Sequence, residues 1–113
     1  MQNNAALATD LEPNATMLIV DDDKPFLVRL GRAMETRGFK VLSADSITTG
    51  LEIARQTPPT YAVVDMRLED GNGLELVEKL RESQPDCKSV ILTGYGNIAT
   101  AVSAVKLLSL IHI

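Results

Sequence analysis

Two short apolar runs in this chain, Met17 to Val20 and Tyr61 to Val64, each stop on carboxylates: Asp21, Asp22 and Asp23 after the first, Asp65 after the second. An apolar run without polar interruption predicts a strand covered on both faces, the kind found in parallel sheets. Gly71 and Gly73 follow the second run closely and mark a loop before the next helix. Asp65 is therefore expected at a strand's carboxyl end, where open α/β sheets bind ligands and do chemistry. Aspartate also caps turns of every kind, and Asp65 taken alone leaves both readings open.

The rest of the chain alternates in the same way. Asp23 is a plausible N-cap, Pro25 suits a first helical turn, and Leu27, Leu30 and Met34 form an apolar stripe that stops at Gly38. Val41 and Leu42 read as a strand, Ser46 as the next N-cap, and Ile47, Leu51 and Ala54 as a stripe ending before Pro58 and Pro59. After the Asp65 strand, Leu74, Val77 and Leu80 predict a third helix that ends before Pro85, packed through those three residues. Ser89 to Thr93 is a fourth strand, Gly94 to Gly96 a loop, and Ile98, Ala101, Val102 and Val105 the stripe of a fourth helix. Strands and helices in strict alternation imply an α/β, doubly wound parallel sheet with right-handed crossovers. Residues 2–16 show no period able to bury a face and are expected to form a disordered leader (1–16).

Composition narrows the function. A chain of 113 residues is one domain, and 15 acidic against 11 basic residues, net −4, argue against a surface built to grip nucleic acid by its phosphates. The single cysteine, Cys87, has no partner for an internal disulfide and no neighbouring ligands for a metal, so it reads as a loop residue in a reducing cytoplasm. Residues 1–16 show no basic start and no apolar h-region, and no apolar run reaches the length of a membrane span. The expectation is a cytoplasmic protein without a membrane or nucleic-acid partner of its own.

A doubly wound sheet gathers the carboxyl ends of its strands at one edge, so Asp21, Asp22, Asp65 and Thr93 should meet there. Carboxylates crowded together repel, and the remedies are to protonate one or to bind a cation. Carboxylate oxygens suit Mg²⁺, which accepts one or two protein carboxylates beside phosphate oxygens. Asp65 could then attack phosphorus as a nucleophile and become an aspartyl phosphate. Thr93 is also a normal β-branched strand end, and Tyr95 reads as a loop aromatic.

The motifs LIVDDD, VVDMRLEDGNG and VILTGYG, in this order and spacing, resemble the response-regulator receiver domain of bacterial two-component signalling over residues 17–107. The resemblance implies a flavodoxin-like (CheY-like) fold and a phosphorylation-dependent switch in place of an enzyme. It makes Asp65 the phosphoacceptor, Asp22 the chief carboxylate on Mg²⁺, Asp21 a ligand through water and the Arg67 backbone carbonyl a further ligand. Thr93 becomes the switch hydroxyl that bonds phosphoryl oxygens, and a sensor histidine kinase the phosphodonor. The run from Val20 to Phe26 and the stretches MRLEDGNGLELV and LTGYGNIATAVSAVKL resemble redox and photosynthesis regulators of the RegA/PrrA/ActR type. In these a helix-turn-helix domain follows the receiver, which would make a full-length parent a transcription factor.

Two departures stand out. Glu69 occupies the place where receivers usually carry Pro, loosening the loop or adding a charge near the pocket. After Lys106 and Leu107 the family pattern gives way to an atypical apolar tail, 108–113, and the fifth strand, its Lys and the fifth helix are expected to be absent. That would leave strand four as an open edge, uncover the first helix and favour self-association; the abrupt change suggests a truncated or misread gene end. His112, in the tail, receives no role.

A rival comes from another class. Met17 to Asp23 also fits the strand-then-DxD pattern of haloacid-dehalogenase-like phosphohydrolases, with Asp21 as nucleophile. Lys24 and Pro25 follow where that family has a small residue and Thr or Val, and no later acidic pair is available for Mg²⁺.

Overall fold

The computed structural model describes residues 15–92, 98, 101–103 and 105. The leader through residue 14, Thr93, Tyr95, the 108–113 tail and His112 lie outside the described residues. The order of elements is β1 (Thr16–Val20), α1 (Lys24–Thr36), β2 (Lys40–Ala44), α2 (Ile47–Gln56), β3 (Tyr61–Asp65), β4 (Arg67–Leu68), β5 (Gly71–Asn72), α3 (Gly73–Ser83) and β6 (Lys88–Leu92). Four strands form one parallel sheet in the order β2-β1-β3-β6, while β4 and β5 make a two-residue antiparallel hairpin. Among the described residues β6 pairs on one side only, with β3.

The unbroken apolar runs are explained by the pleat, because successive side chains of a strand point to opposite faces. Met17, Ile19, Tyr61 and Val63 pack on one face with Phe26, Leu30 and Met34 of α1, and there Phe39 meets Tyr61 edge-on, ring centroids 5.6 Å apart. Leu18, Val20, Ala62 and Val64 pack on the other with Ala54 of α2 and Leu76 and Leu80 of α3. The two central strands thus have no solvent face.

Two helices begin at the caps expected from sequence, and Asn72, not singled out there, caps the third. The Asp23 carboxylate accepts the Phe26 N–H at 3.1 Å with Pro in the first turn, and Ser46 Oγ accepts the Thr49 N–H at 3.1 Å. Asn72 opens α3 with a capping box, accepting from Leu74 N–H at 2.7 Å while Glu75 accepts the Asn72 N–H at 2.9 Å. Cys87 is a half-buried free thiol between α3 and β6, and burial pushes its pKa up. No helix among the described residues is long and apolar enough to cross a membrane.

Two packing expectations change. Leu74 does not join the inward stripe of α3: it is 44% exposed, and Leu76, fully buried, takes that role beside Val77 and Leu80. The helix starts at Gly73, so its inward set is phased on Gly73, Leu76, Val77 and Leu80, and Leu74 lies about 200° around the axis from Leu76. Nor is α1 left uncovered. Ile98, Ala101, Val102, Ser103 and Val105 are helical, and Ala101 and Val105 are buried in the α1 cluster, with Ile98 and Val102 packed against it.

Gly73 ties the loop to the sheet. A Cβ at this position would collide with the carbonyl oxygen of Asp65 and touch Val64 Cγ1 at 3.0 Å. Gly73→Ala is expected to lower the unfolding free energy by about 2 kcal/mol, the range for forced overpacking, as measured by urea denaturation.

Candidate functional site

The chain leaves β1 at Asp21, whose N–H donates to the Ala44 carbonyl of β2 at 3.1 Å, one step beyond the strand pairing. The Asp21 carboxylate is turned inward, buried, and accepts the Asp23 N–H at 2.9 Å. Asp22 next to it is exposed, and Asp65, the last residue of β3, is half-buried and in register with Leu92 of β6. Since β1 and β3 are adjacent, the three side chains converge. One carboxylate oxygen from each of Asp21, Asp22 and Asp65 lies within 4.8 Å of the other two.

The electrostatics follow from this crowding. Burial, then the charges of Asp65, Asp22 and Asp23, raise the Asp21 pKa to about 6, although its bond from the Asp23 N–H pulls the other way. Asp65 is also raised, by burial first and the Asp22 charge second. The backbone N–H groups of Arg67 and Met66 and the Arg67 guanidinium work against that rise. An all-oxygen, electron-rich donor set with one buried member fits a hard divalent cation.

Of the residues singled out from sequence, Asp21, Asp22 and Asp65 are brought together. Arg67 stands two residues beyond Asp65 at the start of the β4–β5 hairpin, its side chain exposed. Thr93 lies outside the described residues. Glu69 is exposed at the hairpin tip and is not part of the three-carboxylate group. One residue escaped notice: Asp70, whose carboxylate accepts from the N-terminus of α2, at 2.9 Å from Ile47 N–H and at 3.1 Å from both Thr48 N–H and Thr48 Oγ1. The tie spans 23 residues of sequence and leaves no local pattern to read.

A parallel α/β sheet with three carboxylates at the carboxyl ends of its two central strands defines the class: a doubly wound domain with an acidic site at its strand ends. A family profile for the response regulator receiver domain matches residues 17–108, and the chain belongs to that family. It is 59% identical over 101 residues to the photosynthetic apparatus regulatory protein RegA of Cereibacter sphaeroides, covering 89% of this chain and 55% of RegA. It is 53% identical over 107 residues to the acid tolerance regulatory protein ActR of Rhizobium meliloti, covering 94% of this chain and 55% of ActR. The chain thus spans about half the length of these relatives. Among solved structures it is similar to a response regulator from Burkholderia pseudomallei with a phosphorylated aspartic acid, a calcium ion and citrate. That likeness has a TM-score of 0.68 at 38% identity and covers 81% of this chain and 54% of the other. A receiver domain from Methanospirillum hungatei matches with a TM-score of 0.69 at 31% identity, covering 80% and 73%. The family sets aside the phosphohydrolase reading of Asp21.

The raised Asp21 pKa has a definite sign. The folded chain holds this proton more tightly than the unfolded one, whose carboxyl titrates near 3.8, so the contribution is full below that value and is lost as pH rises through about 6. In metal-free buffer Asp21→Asn is expected to be more stable than the parent at about pH 8 and to match it at about pH 4. Urea midpoints at the two pH values measure the difference; a gap that is larger at the acid end would contradict the assignment.

Proposed function

We propose that this receiver domain accepts a phosphoryl group on Asp65, with Mg²⁺ held by Asp22, by Asp21 through water and by the Arg67 carbonyl, and that a sensor histidine kinase is the donor. The observation that carries the reading is the convergence of Asp21, Asp22 and Asp65 at the ends of the central strands. A cation held there would supply positive charge to offset that of the phosphoryl oxygens.

The chain's own residues supply the rest. An Asp65 carboxylate oxygen attacks phosphorus; the new P–O bond forms as the P–N bond to the donor's histidine breaks, and the imidazole leaves with the electron pair. Backbone N–H groups of Met66 and Arg67 favour the ionised, nucleophilic form of Asp65 against the effect of burial. Thr93, which directly follows β6, is assigned the hydroxyl that bonds the phosphoryl oxygens and so registers phosphorylation, shifting a pre-existing equilibrium between inactive and active conformations. The domain acts as a switch and not as an enzyme on a separate substrate. Its proposed extent is 17–107, between a leader (1–16) and an apolar tail (108–113), and its proposed location is the cytoplasm. By analogy with RegA and ActR, the output is transcription control exerted by a longer parent, the receiver itself making no contact with DNA.

Intact mass after incubation with acetyl phosphate and Mg²⁺ is the test, on protein whose fold is verified by circular dichroism. A single phosphoryl adduct is expected, lost in Asp65→Asn and without chelatable metal. A folded parent that gains no adduct, or an adduct that persists in Asp65→Asn, removes Asp65 from this role.

A further inference from the structure

We propose that Asp70 is a positioning residue for the acidic site: through its carboxylate the N-terminus of α2 holds the β4–β5 hairpin, and with it Asp65 and the Arg67 carbonyl, in register with Asp21 and Asp22. The proposal rests on the reading of that site given above.

The hairpin springs directly from the functional strand. Asp65 ends β3, Met66 donates its N–H to Leu92 O at 3.0 Å, Arg67 pairs with Asn72 and Leu68 with Gly71, and Gly73 N–H returns to Met66 O at 2.8 Å. Glu69 and Asp70 form its two-residue tip. A two-residue ladder is a weak anchor, because isolated hairpins are marginal even at greater length. What steadies the tip is α2. The first N–H groups of a helix have no partner within it, and here they are divided between two side chains. Ser46 takes the Thr49 N–H, whereas Asp70 takes those of Ile47 and Thr48 together with the Thr48 hydroxyl.

Side-chain packing repeats the connection. Leu68 and Ile47 are buried in one cluster, and Ile47 Cδ1 lies so close to Gly71 that a Cβ there would stand 2.7 Å from it. Gly71 has φ +151°, which no bulkier residue adopts readily.

These ties close a ring. Asp65 leads through the hairpin to Asp70, Asp70 to Ile47 at the start of α2, α2 back through Ser46 to Ala44 at the end of β2, and the Ala44 carbonyl to the Asp21 N–H. The carboxylates of β1 and β3 are thus fixed to each other by the sheet pairing on one side and by the Asp70 tie on the other. The tie is ionic in part, since a carboxylate at a helix N-terminus is favoured by the helix dipole, and the bonds from Ile47 and Thr48 lower the Asp70 pKa.

A helix cap with no further role would make a different prediction, and Ser46 provides the control because it caps the same helix without touching the hairpin. Amide shifts of ¹⁵N-labelled protein, followed as MgCl₂ is added, give the Mg²⁺ affinity of the parent, Asp70→Ala and Ser46→Ala. Exchange of the Gly73 amide in metal-free buffer reads the hairpin itself. Asp70→Ala is expected to weaken Mg²⁺ about tenfold, the lower end of the loss from removing an outer-shell partner, and to speed Gly73 exchange. Ser46→Ala is expected to lose stability while keeping parental affinity and Gly73 protection. If Asp70→Ala unfolds, Asp70→Asn carries the same expectation at reduced size, since its amide can still accept from Ile47 but opposes the Thr48 donors. Parental affinity in every Asp70 variant that folds, or an equal loss in Ser46→Ala, overturns the proposal alone. A parent whose shifts do not respond to Mg²⁺ overturns the site reading and this proposal together.

Discussion

Repulsion among Asp21, Asp22 and Asp65 is the constraint on which the arrangement depends. At the observed separation, within 4.8 Å, two ionised carboxylates repel by roughly 3 kcal/mol in a surface-like dielectric. A chain free to relax would move them apart. Here Asp21 and Asp65 stand at the ends of neighbouring strands whose pairing fixes their backbones: Val20 is in register with Val64, and both are fully buried. The repulsion is therefore held in the native state, where it adds to the effect of burial in raising the Asp21 pKa and creates a demand for positive charge. Three carboxylate oxygens placed this closely would suit a divalent cation, which would relieve the repulsion.

The sheet can hold the site in this way because its central strands are apolar throughout. Hydrophobic burial on both faces, α1 on one side and α2 with α3 on the other, offsets the cost of crowding at the strand ends. The helix bearing Ala101 and Val105 extends the α1 layer. Its described apolar residues lie against α1, Leu92 and the strand residues Met17, Ile19, Tyr61 and Val63.

Much of this was legible in the sequence, for reasons that differ from element to element. The central strands β1 and β3 were visible because buried strands need continuous apolar runs, and the starts of α1 and α2 because Asp23 and Ser46 cap within a few residues of themselves. The convergence of Asp21, Asp22 and Asp65 followed from topology, since strand ends of a doubly wound sheet share an edge. Leu74 was misplaced because an i, i+3 spacing fits more than one phase when the first residue lies in the opening turn; only Leu76, against the sheet, fixes the phase. The cover over α1 depends on which face of the sheet the helix bearing Ala101 and Val105 takes, a tertiary matter without a sequence period. Asp70 was invisible for a related reason: its partners, Ile47 and Thr48, lie in an earlier unit, and an aspartate in an acidic, glycine-containing loop looks like any turn residue.

That long-range tie also bears on Glu69, which stands where receivers usually carry proline. Proline stiffens a loop by fixing φ and lowering the entropy of the unfolded chain. The hairpin tip here has no such stiffening, and Glu69 is exposed and makes no part of the carboxylate group. Order is supplied instead by contacts on either side of it: Leu68 buried beneath, Asp70 bonded to α2, and Gly71 against Ile47. In this chain the hairpin that follows Asp65 is thus tied to the start of α2, a helix that contributes no carboxylate to the three-carboxylate group.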